Sequence, residues 1–174
     1  IKIRKYLEYI FHEDKLDKLQ EQSKIINKLS DNLKEELLIE ANGCIIRDIK
    51  VLSLNFSEDT LRKTVSIMKE VKYTPGDLIL SNNNVSDNDL FIVRKGEVEI
   101  FLENRNNATD YTIIKKIKEG EVFGEKSFFD NKGQYFNAKS VDFSTIDVIK
   151  QEDFLNIIKR NPQDYESFCE IKDR

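Results

Sequence analysis

One stretch of this sequence combines residue types and spacing suited to chemistry. It runs Gly120-Glu121-Val122-Phe123-Gly124-Glu125-Lys126-Ser127-Phe128-Phe129, and after a short polar loop continues Gln134-Tyr135-Phe136-Asn137-Ala138-Lys139-Ser140-Val141. A strand that ends at Phe123 meets a glycine that lets the backbone turn, so a short helix can begin at once. The first amides of such a helix lack intrahelical partners and suit an anion. Glu125 sits at that start with an acceptor suited to a sugar hydroxyl. On spacing alone the same residues also describe a capped helical turn with a stabilising Glu.

Little else in the chain points to a reaction. His12 is the only histidine, set in the charged run Phe11-His12-Glu13-Asp14, and reads as solvated. No carboxylate pair has a spacing that suggests acid–base catalysis. Cys44 and Cys169 lie far apart without metal-ligand spacing, so they read as small buried groups rather than reactive thiols, a disulfide or a zinc site. No P-loop, dinucleotide or kinase signature is present. The expectation is a domain that is not an enzyme and carries no metal.

The elements that must position the stretch are visible in two textures. The chain has 174 residues, 39% hydrophobic and 34% charged, enough for a real core and for one domain, or one small domain plus an extension. Formal charge is −4 without a large basic block, which argues against non-specific nucleic-acid binding. No apolar run approaches the roughly 18 residues a membrane-spanning helix needs. The cysteine usage fits a reducing, cytosolic setting, and the absence of an initiator Met suggests a piece of a larger protein.

From Ile1 to about Met68 the pattern is helical. Ile3, Tyr6, Leu7 and Ile10 share one face, and Ile25, Ile26 and Leu29 suggest a second helix. Ser30 is a natural N-cap for a helix whose stripe would be Leu33, Leu37 and Ala41. Ser57 caps another, with Phe56 and Leu61 as a hydrophobic staple and Leu61, Val65 and Met68 as the buried face. These short helices form a lead-in that must pack on a neighbour.

From about Glu70 to Ile149 the chain reads as short strands between turns. Pro75-Gly76 has type II turn chemistry. Leu90-Phe91-Ile92-Val93 and Glu97-Val98-Glu99-Ile100-Phe101-Leu102 flank Arg94-Lys95-Gly96 as a predicted hairpin. The Asn-rich run 82–89 and the run 103–110 read as surface loops. Tyr111 to Ile117, Glu121 to Phe123 and Ser140 to Ile149 supply later strands, so the segment suggests a β-roll, barrel or sandwich. A short amphipathic helix from Asp153 stops near Pro162, and Tyr165, Phe168, Cys169 and Ile171 begin a last one.

The order Pro75-Gly76-Asp77, then Leu90-Phe91-Ile92-Val93-Arg94-Lys95-Gly96-Glu97-Val98, then Phe123-Gly124-Glu125 resembles the cyclic-nucleotide-binding domain family. The lead-in, with Tyr6-Leu7-Glu8-Tyr9, Leu29-Ser30-Asp31-Asn32-Leu33-Lys34-Glu35-Glu36, Ile49-Lys50-Val51-Leu52 and Phe56, resembles the C-linker of hyperpolarisation-activated, cyclic-nucleotide-gated and ether-à-go-go channels. This resemblance implies an α+β fold: an antiparallel, jelly-roll-like β-roll with a helical N-terminal linker and short C-terminal helices. Residues 1–55 would form the linker and 56–174 the binding domain, with the roll over about 70–150 and closing helices over 151–174.

By the same resemblance Phe123, Gly124, Glu125, Lys126, Ser127, Phe136, Asn137 and Ala138 would bind the ligand, cAMP or cGMP. The family carries Arg-Thr-Ala where this chain has Phe136-Asn137-Ala138, so the Arg that pairs with the cyclic phosphate is replaced by Phe136. That bond contributes on the order of 1.5–3 kcal/mol. Lys139 should face away from Phe136 on an alternating strand. Lys126 and Lys132 lie nearer the loop, but a Lys lacks the bidentate fork. In ether-à-go-go relatives a segment of the channel's own C-terminus fills the pocket. Phe136 and Tyr135 would offer an apolar surface to such a plug, or serve simply as core aromatics.

The resemblance implies a regulatory module of a tetrameric, potassium-selective cation channel on the cytoplasmic side of the membrane, touching the membrane only through the rest of that channel. It binds no nucleic acid, and by itself would be a monomer or dimer. The alternatives are the regulatory domain of a cyclic-nucleotide-dependent kinase or exchange factor, and a bacterial-type transcription regulator with the same roll.

Overall fold

The structure, a computed structural model, describes residues 29–82, 88–104 and 107–172. The two early helical runs and His12 lie outside these residues. Three helices lead in: α1 (Asp31–Asp48), α2 (Lys50–Ser53) and α3 (Glu58–Ile67). Ser30 and Ser57 cap α1 and α3 as expected, their hydroxyls accepting the amides of Leu33 and Thr60 at 3.4 Å. Eight strands follow: β1 (Lys69–Tyr73), β2 (Leu78–Leu80), β3 (Leu90–Lys95), β4 (Val98–Asn104), β5 (Asn107–Ile117), β6 (Val122–Phe123), β7 (Asn137–Ser140) and β8 (Ser144–Ile149). A short helix α4 (Glu125–Asp130) interrupts them after β6. Helices α5 (Gln151–Ile158) and α6 (Pro162–Lys172) close the chain, with Pro162 at the first helical position of α6, where its missing N–H costs nothing.

The strands form two four-stranded antiparallel sheets, ordered β1-β8-β3-β6 and β2-β7-β4-β5. This is the predicted α+β roll, but three local expectations change. First, β3 and β4 do not pair as a hairpin; the chain leaves one sheet for the other at Gly96. Second, Ser140 to Ile149 is two strands, parted by a turn that makes the return crossing. The two crossings lie side by side: the Glu97 amide donates to Asp142 Oδ1 at 2.9 Å and the Val141 amide to the Glu97 carbonyl at 2.9 Å. Third, the expected loop over 103–110 is largely strand, because β4 and β5 stay paired out to Asn104 and Asn107. The Pro75-Gly76 turn is as expected, with Gly76 at φ 84° and the Asp77 amide donating to the Thr74 carbonyl at 3.0 Å.

Strand β3 explains the layering. Its Leu90 and Ile92 face a core built with the helices, while Phe91 and Val93 face the interior of the roll. A strand buried on both sides must be apolar at consecutive positions, which is why Leu90-Phe91-Ile92-Val93 shows no alternation. The helical core joins Ile46, Ile49, Leu52 and Phe56 of the lead-in to Phe128 and Phe129 of α4 and to Phe154, Ile158 and Phe168 of the closing helices. The lead-in therefore packs on a neighbour, as its amphipathic length requires. Its inward face differs from the expected stripe: Leu33 and Leu37 are exposed, and Ile39, Ile45, Ile46 and Ile49 turn inward instead. Cys44 is exposed and Cys169 half-buried, against the expectation that both are buried.

Polar contacts tie the same layers. Asp147, buried on β8, accepts Arg94 Nε of β3 at 2.6 Å, and the Arg94 Nη2 reaches Asn42 Oδ1 on α1 at 2.5 Å. Among the described residues no helix is long and apolar enough to cross a membrane, and no group of His, Cys, Asp and Glu could hold a metal ion.

Candidate functional site

The sequence-singled stretch folds as β6, a left-handed glycine, helix α4, a loop and β7. Phe123 is buried in the roll with its ring stacked on Phe91 at 4.9 Å between centroids. Gly124 has φ 87°, and a Cβ there would stand 2.5 Å from the Asp89 carbonyl oxygen, so the turn into α4 needs glycine for both conformation and space. Ser127 is buried and its hydroxyl donates to the Gly124 carbonyl at 3.0 Å, tightening that turn. Asn131 ends α4 in the left-handed region, its side-chain oxygen accepting Asn88 Nδ2 at 2.6 Å; Asn88 Oδ1 in turn accepts the Gly133 amide at 3.2 Å. The Asn-rich run expected on the surface thus supplies a buried residue that braces the cassette.

The eight candidate residues divide between two sides of this unit. Phe123, Phe136 and Ala138 belong to the roll interior. Asn137 is buried on β7, and its Oδ1 accepts the Asn82 amide at 2.9 Å. Glu125 and Lys126 line a cleft of about 600 Å³ between α4 and the end of α6, together with Lys132, Phe129, Ile171 and Lys172. Burial pushes the Glu125 carboxyl above its ordinary range, with Lys115 acting in the opposite direction.

Phe136 packs against the roll core, the position that the ordinary reading of a core aromatic requires. Tyr135, by contrast, is exposed and lies under Lys126, whose Nζ is 5.9 Å from the ring centroid. Lys139 is engaged elsewhere: its Nζ lies 3.8 Å from the Tyr111 centroid and 3.4 Å from a Glu99 carboxylate oxygen. Lys132 has Asp130 at 3.9 Å. Each of the three lysines considered as a substitute cation thus already has a partner, aromatic or acidic.

Sequence reasoning missed Gln134. It is 6% exposed, and its Nε2 would lie 3.2 Å from a Cβ on Gly124, so it packs at the elbow of the cassette. A glutamine in a polar loop carries no sequence signal of burial. The helix α4 also contributes outward: Phe129 stacks on Phe56 of the lead-in at 6.4 Å, and Phe128 and Phe129 both contact the Phe168 ring.

Comparison with known proteins follows the same outline. No curated protein matches the sequence. Among solved structures, the chain resembles a co-crystal structure of the regulatory domain of Toxoplasma gondii PKA with cAMP, with a TM-score of 0.60 and 20% identity, covering 76% of this chain and 47% of that one. It also resembles a Ruegeria pomeroyi protein described as a candidate cyclic nucleotide binding protein, with a TM-score of 0.63 and 19% identity, covering 74% of this chain and 55% of that one. The chain thus spans about half the length of each, and at such identity the likeness concerns the fold. The family model for the cyclic nucleotide-binding domain matches residues 70–161, just over half the chain and the whole of the roll with the cassette. By that match and by its two-sheet roll with an interrupting α4, the chain belongs to the cyclic nucleotide-binding domain family.

Proposed function

We propose that this domain is a non-enzymatic regulatory module, the cytoplasmic gating unit of a tetrameric, potassium-selective cation channel, with residues 1–55 as linker and 56–174 as the sensing domain. Its cassette grips cAMP or cGMP weakly or not at all. The observation that carries this reading is Phe136, packed into the roll core where the family's phosphate-pairing Arg stands. Without that guanidinium, a cyclic phosphate loses its bidentate, charge-assisted partner.

The mechanism rests on the shared helical core. A ligand or plug that repositions α4 moves Phe128 and Phe129, and these pack directly on Phe56 of the lead-in and Phe168 of α6. Displacement at the cassette therefore reaches the lead-in without an intervening loop. Coupling requires that the occupant bind one arrangement of α4 better than the other.

Calorimetric titration of the chain with cAMP and with cGMP tests the reading. Affinity in the high micromolar range or weaker is expected; submicromolar binding to the native sequence would sink it. The regulatory domain of a cyclic-nucleotide-dependent kinase is the competing assignment. A pore upstream of Ile1 in the full-length protein supports the channel, and its absence there decides against it.

A further inference from the structure

Two amide donors in the cassette are buried without a hydrogen-bond partner among the described residues: Gln134 Nε2 and Asn137 Nδ2. Gln134 is 6% exposed and Asn137 1%. The orientation of Asn137 is fixed by its neighbour. The Asn82 amide must donate to an acceptor, so the atom 2.9 Å from it is Oδ1 and the free end is the NH2 group. Asn82 Oδ1, an acceptor, is likewise buried and unpartnered beside them. Gln134 Nε2 packs between Gly124 and the Phe91 edge, each close to the same point in space.

Burying an unpaired amide donor costs stability that an apolar side chain of the same size would not. Two such donors within four residues, both on the segment between α4 and β7, are better explained by a bond made outside the free protein than by packing. We propose that Gln134 and Asn137 are ligand-positioning residues whose neutral NH2 groups hold the phosphate oxygens of a cyclic nucleotide in place of the missing guanidinium. This rests on the reading that the cassette still admits the nucleotide. It also explains how some grip survives next to Phe136: amide donors bond an oxyanion without neutralising its charge, so they retain part of the Arg's contribution. Asn82 Oδ1 supplies the complementary acceptor for a ligand hydroxyl or amine.

The test pairs stability with binding. Gln134→Met keeps the length and volume of the side chain and removes the donor. The free variant should melt at the same temperature as the native protein or a few degrees higher, yet bind cAMP and cGMP roughly three- to tenfold more weakly by titration. Asn137→Leu also removes the acceptor of the Asn82 amide, so it is read in binding alone, on protein shown to be folded by near-ultraviolet circular dichroism; it should weaken binding by a similar factor. A clear drop in the melting temperature of free Gln134→Met would assign the donor to a structural partner or an internal water and overturn the proposal. Unchanged affinity in both variants would overturn it too. Silence of the native protein towards both nucleotides at millimolar concentration also overturns it, while leaving the reading of a degraded cassette intact. Submicromolar native binding lost in both variants does the reverse.

Discussion

Asp164 on the last helix accepts both polar hydrogens of Ser57: the amide to Oδ1 at 2.9 Å and the hydroxyl to Oδ2 at 2.6 Å. Thr60 Oγ1 and Asn161 Nδ2 donate to the same Oδ2, at 2.5 and 2.8 Å. A carboxylate from α6 thereby occupies the N-terminus of α3, where free amides and the helix dipole favour negative charge. Burial by itself would raise this carboxyl, but the donors of Ser57, Thr60 and Asn161 outweigh it and hold it below the usual carboxylate range. The closing helix is thus fastened to the helix before the roll by a contact that involves no ligand.

A pH dependence follows from that clasp. The folded Asp164 gives up its proton more readily than the unfolded one, so the unfolded state binds more protons in the acid range and stability rises with pH there. The contribution is complete above about pH 5 and is lost as the pH falls through the depressed folded value. Asp164→Ala, which leaves four donors without their acceptor, should cost on the order of 3 kcal/mol at pH 7. Urea unfolding at pH 7 and pH 3 checks both: the difference between native and variant should shrink at the lower pH, and a constant difference would refute the assignment.

Phe136→Arg should raise affinity for cyclic nucleotide by roughly ten- to a hundredfold, the range of one charge-assisted bond. Calorimetric titration reads it directly. An unaltered isotherm would mean that residue 136 is not the phosphate-pairing position and that the cassette is misaligned.

Two glycines should respond in opposite directions to alanine. At Gly96, where the chain crosses between sheets at φ 92°, a Cβ would stand 2.5 Å from Asp142 Oδ1 and 2.9 Å from the Ser144 Cα. Gly96→Ala should destabilise by about 2 kcal/mol or more, since conformation and space both fail. Gly43 lies within α1 with only Arg47 Nη1 at 3.9 Å, so Gly43→Ala should stabilise by about 0.5–1 kcal/mol. Thermal unfolding of the two variants side by side decides; the same sign for both would contradict the packing described.

The relay from cassette to lead-in predicts coupling between Phe56 and Phe129, whose rings stack at 6.4 Å and 9°. A double-mutant cycle with Leu at each position should return about 0.5–1.5 kcal/mol of interaction energy. Additive effects would remove the proposed direct path.

The order of elements was legible from sequence because each rests on local chemistry: Ser30 and Ser57 as caps, Pro75-Gly76 as a turn, Gly124 before a short helix. Partner choice was not. Arg94-Lys95-Gly96 has the composition of a hairpin turn whether the flanking strands pair or part, and only the distant Asp142 and Ser144 reveal that they part. The exposed face of α1 shows the same limit. Leu33, Leu37 and Ala41 make as good a stripe as Ile39, Ile46 and Ile49, and the choice is made by helix α3 and the aromatic residues from α4 onward. Gln134 and Asn82 were invisible for another reason: burial of a polar side chain next to a glycine elbow leaves no periodicity to read.

The helical core described above draws on Ile46 near one end of the chain and Phe168 near the other, whereas the roll core is drawn from the residues between them. On a ribosome, therefore, the lead-in emerges first and completes its packing last. Its apolar face must wait through synthesis of the entire roll for α5 and α6, and contacts of such long sequence separation form slowly. A nascent chain arrested before Phe154 would hold a roll with its lead-in unclosed, open to premature contact with another chain. Assembly with other copies through the lead-in is thereby delayed until each domain has been made in full.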